Sequence, residues 1–279
     1  MGPMEHLQNP APSPPAPLPR SRGEGGKKCF AGWRSDCRRR RLCFFTALAA
    51  VIAGCQNDRP PAEGQTPSAA IVESTPLSFA ALIDEAAASG KTAVRTDGAV
   101  SAAELEMLKR LPELRTLQLD GGVASPADLA AIPDLPQLKH LRVRETAIDA
   151  AALRDIAKRF KSLEILNLPN FDVAAVDAEM LLKLQGLQSL RIGGRRIDGE
   201  LVKVIARLPE LMHLHLIGPS LVDADLQTVA GIESLRSFYL DDCPLADAAW
   251  VEFFESRPNI HVHIDQAHRD YDPNADAHR

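Results

Sequence analysis

The chain has 279 residues, 45% of them hydrophobic, 25% charged and only 5% aromatic, which is enough for one sizeable core or two small ones, mainly aliphatic in either case. The formal net charge of −5 hides a split, because residues 1–54 hold nine Lys/Arg against three Asp/Glu and leave the remainder near −11. That acidity excludes a basic nucleic-acid footprint on the folded part.

Proline crowds the start, with Pro3, Pro10, Pro12, Pro14, Pro15, Pro17 and Pro19 ahead of any apolar periodicity, so this stretch is not expected to join a packed domain. Residues 37–55 then read CRRRRLCFFTALAAVIAGC. Four arginines (Arg38–Arg41) precede thirteen uncharged residues, Leu42–Gly54, followed by a cysteine. This is the order of a secretory signal, and thirteen residues are short for a membrane-spanning helix. An uncleaved amino-terminal anchor or a chance apolar run is the alternative.

Ile52-Ala53-Gly54-Cys55 resembles the lipobox of bacterial lipoproteins. The resemblance implies cleavage before Cys55, a diacylglycerol on its sulfur and an address in the bacterial cell envelope, anchored to the periplasmic or outer face of a membrane. The pattern in that family begins a few residues before its arginines, whereas Met1–Cys37 precede Arg38 here, so a start site assigned too far upstream is the simplest account. On this reading Cys29, Cys37 and Cys43 leave with the signal. Only Cys243 then stays a thiol, and no disulfide can form. The organisation expected is an extension and signal over residues 1–54, a disordered Pro/Ala/Ser/Glu-rich tether over 55–77, a repeat domain over 78–265 and a polar tail over 266–279.

The rest of the chain repeats one pattern. Leu111/Leu114/Leu117/Leu119 sets a pattern LxxLxxLxL that returns at Leu135/Leu138/Leu141/Val143, Phe160/Leu163/Leu166/Leu168, Leu184/Leu187/Leu190/Ile192, Leu208/Leu211/Leu214/Leu216 and Ile232/Leu235/Phe238/Leu240. The step is 24 residues, once 25. After each register comes a further apolar residue, then a capping residue (Ser125, Asp149, Asp198, Asp223) and a helical pattern of two to three turns. Leu77–Ile83 predicts an amphipathic capping helix, Lys91–Arg95 a first degenerate strand, Ser101–Lys109 its helix, and Ile260–Ile264 a shortened final strand.

Leu235-Arg-Ser-Phe238-Tyr-Leu240-Asp-Asp-Cys243-Pro-Leu245 resembles the consensus LxxLxLxxN/CxL of the leucine-rich repeat family. The resemblance covers roughly residues 92–265 and implies an α/β solenoid, a horseshoe with parallel strands on the concave face and helices on the convex face. The Asn/Cys position is Gly122, Thr146, Phe171, Arg195 and Pro219 in the other repeats, so the family's buried polar ladder is largely missing.

Strand alternation points one set of residues outward. The middle row across the repeats is Gln118, Arg142, Asn167, Arg191, His215, Tyr239 and His263. Arg142, Arg144 and Arg191, with His215, Tyr239 and Asp241, form a candidate binding surface for a protein or peptide carrying carboxylate or phosphate. His213-Leu-His215 and His261-Val-His263 each place two imidazoles on one side of a strand, a spacing able to chelate Zn²⁺ or Cu²⁺, with Asp265 or Asp241 as an oxygen ligand. The two pairs are expected about 10 Å apart by strand spacing. No HExxH, phosphate loop or GxSxG elbow occurs, and Cys243 falls at a buried consensus position. The expected function is a non-enzymatic, membrane-anchored binding or scaffolding module without a cofactor beyond the lipid on Cys55. The alternative is a metal-binding or hydrolytic protein using the histidine end.

Overall fold

The computed structural model describes residues 77–269 together with Asp272 and Pro273; the signal, Cys55, the tether up to residue 76 and most of the polar tail lie outside the described residues. One parallel sheet of eight strands runs in strict sequence order: β1 Ala93–Thr96, β2 Thr116–Leu119, β3 His140–Val143, β4 Ile165–Leu168, β5 Ser189–Gly193, β6 His213–Ile217, β7 Ser237–Asp241 and β8 His261–Ile264. Each crossover carries helical structure, and this alternation makes the fold a leucine-rich-repeat solenoid. The pairing follows the sequence register, with Leu117 beside Leu141, Leu141 beside Leu166, and so on to Phe238 beside Val262.

The leucines of the repeat form a single core between sheet and helices. Leu117, Leu141, Leu166, Leu190 and Leu214 are wholly buried. No repeat can cover its own leucines, so each side chain gains its roughly 1.5–3 kcal/mol only when neighbours stack on it. The amino end is closed by α1, Phe79–Ser89, which buries Phe79, Ile83 and Ala86 on one face; Ser78 caps its start and Gly90, at φ +67°, ends it. Most of the rings among the described residues collect at the other end. There Phe238 meets Trp250 and Phe253 of α7 (Asp247–Ser256), with centroids 6.0 and 6.1 Å away. Arg257, just past α7, donates to the carbonyls of Ala230, Ile232 and Leu235, tying the last helix to the repeat before it.

The crossovers are more varied than an even two to three turns. Ala150–Arg159 (α3) and α7 are full ten-residue helices. Ala102–Leu105 and Ala175–Ala178 are single α-turns that tighten into 3₁₀ segments, Glu106–Arg110 and Glu179–Lys183, and Pro126–Ala131 is 3₁₀ throughout. A 3₁₀ turn rises about 2.0 Å per residue against 1.5 Å, so it spans the same crossover with fewer residues. The 25-residue step houses α3, while the equally long α7 fits a 24-residue step, so helix type does not by itself set the repeat length.

Capping follows the expectation at three of four places. Ser125 and Asp128 form a capping box, and Asp149 and Asp198 accept from Ala152 N–H and Leu201 N–H. Asp223 does not cap Asp225–Ala230; it accepts from Ala246 N–H in the next repeat, while Asp225 accepts from Val222 N–H. At the consensus Asn/Cys position Thr146 does what the ladder residue would do: buried, its hydroxyl accepts from Val123 N–H at 2.8 Å and donates to Val123 C=O at 3.1 Å. Gly122 beside it is obligatory, since φ is +71° and a Cβ would collide with the carbonyl of Arg144. No helix among the described residues is long and apolar enough to cross a membrane.

Candidate functional site

The solvent-facing side of the sheet carries the middle row in the order Arg95, Gln118, Arg142, Asn167, Arg191, His215, Tyr239, His263, each paired in register with the next. β1 therefore extends the row by Arg95. Parallel neighbours lie about 4.8 Å apart, so side chains in the row necessarily interact.

The three candidate arginines are not equivalent. Asp120 sits between two of the row's guanidinium groups, 2.7 Å from Arg142 Nε and 3.0 Å from Arg95 Nε, and is nearly buried beneath them. Arg142 thus already has its carboxylate. Arg144 and Arg191 form no ion pair among the described residues, and the Nε of Arg191 is buried without a hydrogen-bond partner. Burial, reinforced by Arg144 and Arg142, pushes the Arg191 guanidinium below its ordinary pKa, with Asp241 acting weakly the other way. Arg191 nevertheless stays charged at neutral pH, because a guanidinium is not deprotonated inside a protein. An unsatisfied buried N–H on a cation costs free energy until an anion or acceptor meets it.

His215 lies next in the row. Its Nε2 is 2.8 Å from Asp241 Oδ2, which fixes the neutral ring with Nε2–H donating. Burial lowers its pKa, and the Arg191 charge adds to this, while Asp241 opposes. His140, in the row alongside, is likewise lowered by burial and then by Arg142. Tyr239 stacks between His215 and His263, with centroids 5.4 and 5.0 Å away. Together Asn167, Arg191, His213, His215, Tyr239, Asp241 and His263 line a cavity of about 450 Å³ on this face, and Ile165 adds an exposed apolar wall. The arrangement offers a cation, a flat ring and an aliphatic wall, which suits an acidic group flanked by apolar surface.

The sequence-derived histidine set divides in two. His213 Nδ1 is 2.6 Å from Ser237 Oγ and His215 is held by Asp241. Asp265 accepts from Asp242 N–H, which occupies one of its oxygens at the turn. His261 and His263 instead converge with His268, which lies outside both HxH pairs. Cys243 is buried and its thiol pKa is raised by burial, which makes it an inert core residue.

No protein-family model matches the chain. Among solved structures, internalin C2 from Listeria monocytogenes is similar to it at 18% identity over 63% of this chain and 80% of that one, with a TM-score of 0.37.

Proposed function

We propose that the chain is a lipid-anchored protein of the bacterial envelope whose solenoid is a non-enzymatic binding module, and that its strand face captures an acidic, partly apolar segment of a protein partner. The observation that carries this reading is Arg191, a half-buried cation in the strand-face cavity whose Nε has no hydrogen-bond partner among the described residues. Arg142 already has a carboxylate partner in Asp120, shared with Arg95, so Arg191 with Arg144 is where an incoming carboxylate gains most. Support for the anchor comes from Cys55 and the charged and apolar run before it. Acyl chains contribute about 0.8 kcal/mol per buried methylene, and two or more hold a protein on a membrane durably.

Cross-linking and recovery of partners from cells expressing the wild type, Arg191→Gln and Arg191→Lys tests the binding reading. A charge-assisted hydrogen bond is worth about 1.5–3 kcal/mol, so Arg191→Gln is expected to lower recovery at least about tenfold, with Arg191→Lys intermediate. Equal recovery by all three rejects the strand face. Separately, Cys55→Ala should move the protein out of the membrane fraction, and retention there at the wild-type level refutes the lipid anchor.

A further inference from the structure

We infer that His261, His263 and His268 form a zinc site that fastens the chain after β8 back onto the last strand. The ligand nitrogens of these three rings all lie within 4.8 Å of one another. Their ring centroids are 4.7 Å apart for His261 and His263, 5.0 Å for His261 and His268, and 4.3 Å for His263 and His268. The inference does not depend on the Arg191 reading, since the two share only His263 at the cavity's edge and involve different ligands.

The convergence has a backbone cause. Ile264 and Ala267 exchange both backbone hydrogen bonds, Ile264 N–H to Ala267 C=O at 2.8 Å and the reverse at 3.1 Å. The two residues between them, Asp265 and Gln266, both have positive φ, +51° and +64°. That is a two-residue hairpin turn of the primed type, built without glycine. In such a hairpin the next residues outward, His263 and His268, stand opposite each other on one face. His261, two residues before His263, points to the same side.

The chemistry of the donors suits a divalent transition metal. His268 Nδ1 lies 2.7 Å from Asp272 Oδ2, and the Asp272 side chain is fully buried. A carboxylate accepting from Nδ1–H leaves Nε2 of that ring as the metal-facing atom and raises its basicity, the orientation zinc-bound histidines commonly have. The Nε2 atoms of His263 and His268 are both buried, so the ion would be shielded on the protein side. Ligand nitrogens at about 2.0–2.1 Å from a tetrahedral ion lie roughly 3.3 Å apart, so closure asks for an inward shift on the order of 1 Å by side-chain rotation. Three imidazoles leave a fourth position for water.

The test is calorimetric titration of the untagged full chain with Zn²⁺, paired with thermal melts. One-to-one saturable binding is expected. His263→Ala and His268→Ala should each weaken it at least about tenfold, and Asp272→Asn about 10- to 100-fold. At a free zinc concentration about a hundred times Kd, Tm should rise by roughly 5–10 °C in the wild type and not in His268→Ala. His213→Ala and Arg191→Gln should bind as the wild type does. Absence of saturable binding, unchanged binding by His268→Ala, or loss of binding in His213→Ala would each overturn the assignment. Circular dichroism of metal-free His268→Ala, expected to match the wild type, separates loss of the site from loss of the fold. Should that variant be misfolded, Asp272→Asn decides, because wild-type affinity there also overturns the assignment.

Discussion

Single side chains decide how the repeats lock together. Thr146 satisfies both polar groups of Val123 inside the core. Replacing it with valine keeps the shape and strands the Val123 N–H and C=O, at about 1–3 kcal/mol. Urea unfolding of Thr146→Val should show that loss, and Thr146→Ser should recover much of it. His140 and His215 act through protons. Both take up a proton less readily in the folded chain than at the ordinary histidine pKa of 6.5. Between the lowered folded pKa and 6.5 the unfolded chain therefore binds more protons, so stability rises with pH across that window and is complete above it. Thermal melts should fall as pH drops below about 6.5. The double variant His140→Gln/His215→Gln should show a shallower fall over the same range.

Elements in this fold are short, and their ends carry much of their stability. The ten-residue α3 starts at Asp149, whose carboxylate accepts from Ala152 N–H at 2.8 Å, and ends with Lys158 and Arg159, which complement the helix dipole. Asp149→Ala should cost about 0.5–2 kcal/mol, measurable by urea unfolding. These caps were legible in the sequence because a capping residue before an apolar-periodic run has a local cause. The choice between α and 3₁₀ was not legible, since it is set by how far each crossover must reach to stack on its neighbours. Asp223 shows the same limit. Its side chain is taken by Ala246 N–H one repeat on, a contact that no local pattern encodes.

Across the whole molecule the repeats form a one-dimensional stack, so stability should be lost from an end rather than uniformly. The carboxyl end relies on a small ring cluster, in which the fully buried Phe253 touches Phe238, Trp250 and Phe254. Phe253→Ala should cost about 3–5 kcal/mol. Hydrogen exchange on that variant should report opening of β8 and β7 well ahead of β3 and β4, whereas equal acceleration in all strands would contradict stack-like behaviour.

Leucine spacing alone was sufficient to specify the strand register and the identity of the middle row, because a side-chain period of two and a repeat of 24 residues leave one consistent way to bury every leucine. The charged and metal-ligating chemistry of that row depended on contacts between repeats. Asp120 reaches across to pair with Arg142 and Arg95, and Arg191 is left without an ion pair among the described residues. Asp241 takes His215, and a turn without glycine folds His268 against His263. The sequence read alone made three arginines and two histidine pairs look equivalent. Only the tertiary structure ranked them, because burial and the partner on the adjacent strand, rather than residue type, decide which polar group still has bonding capacity to offer.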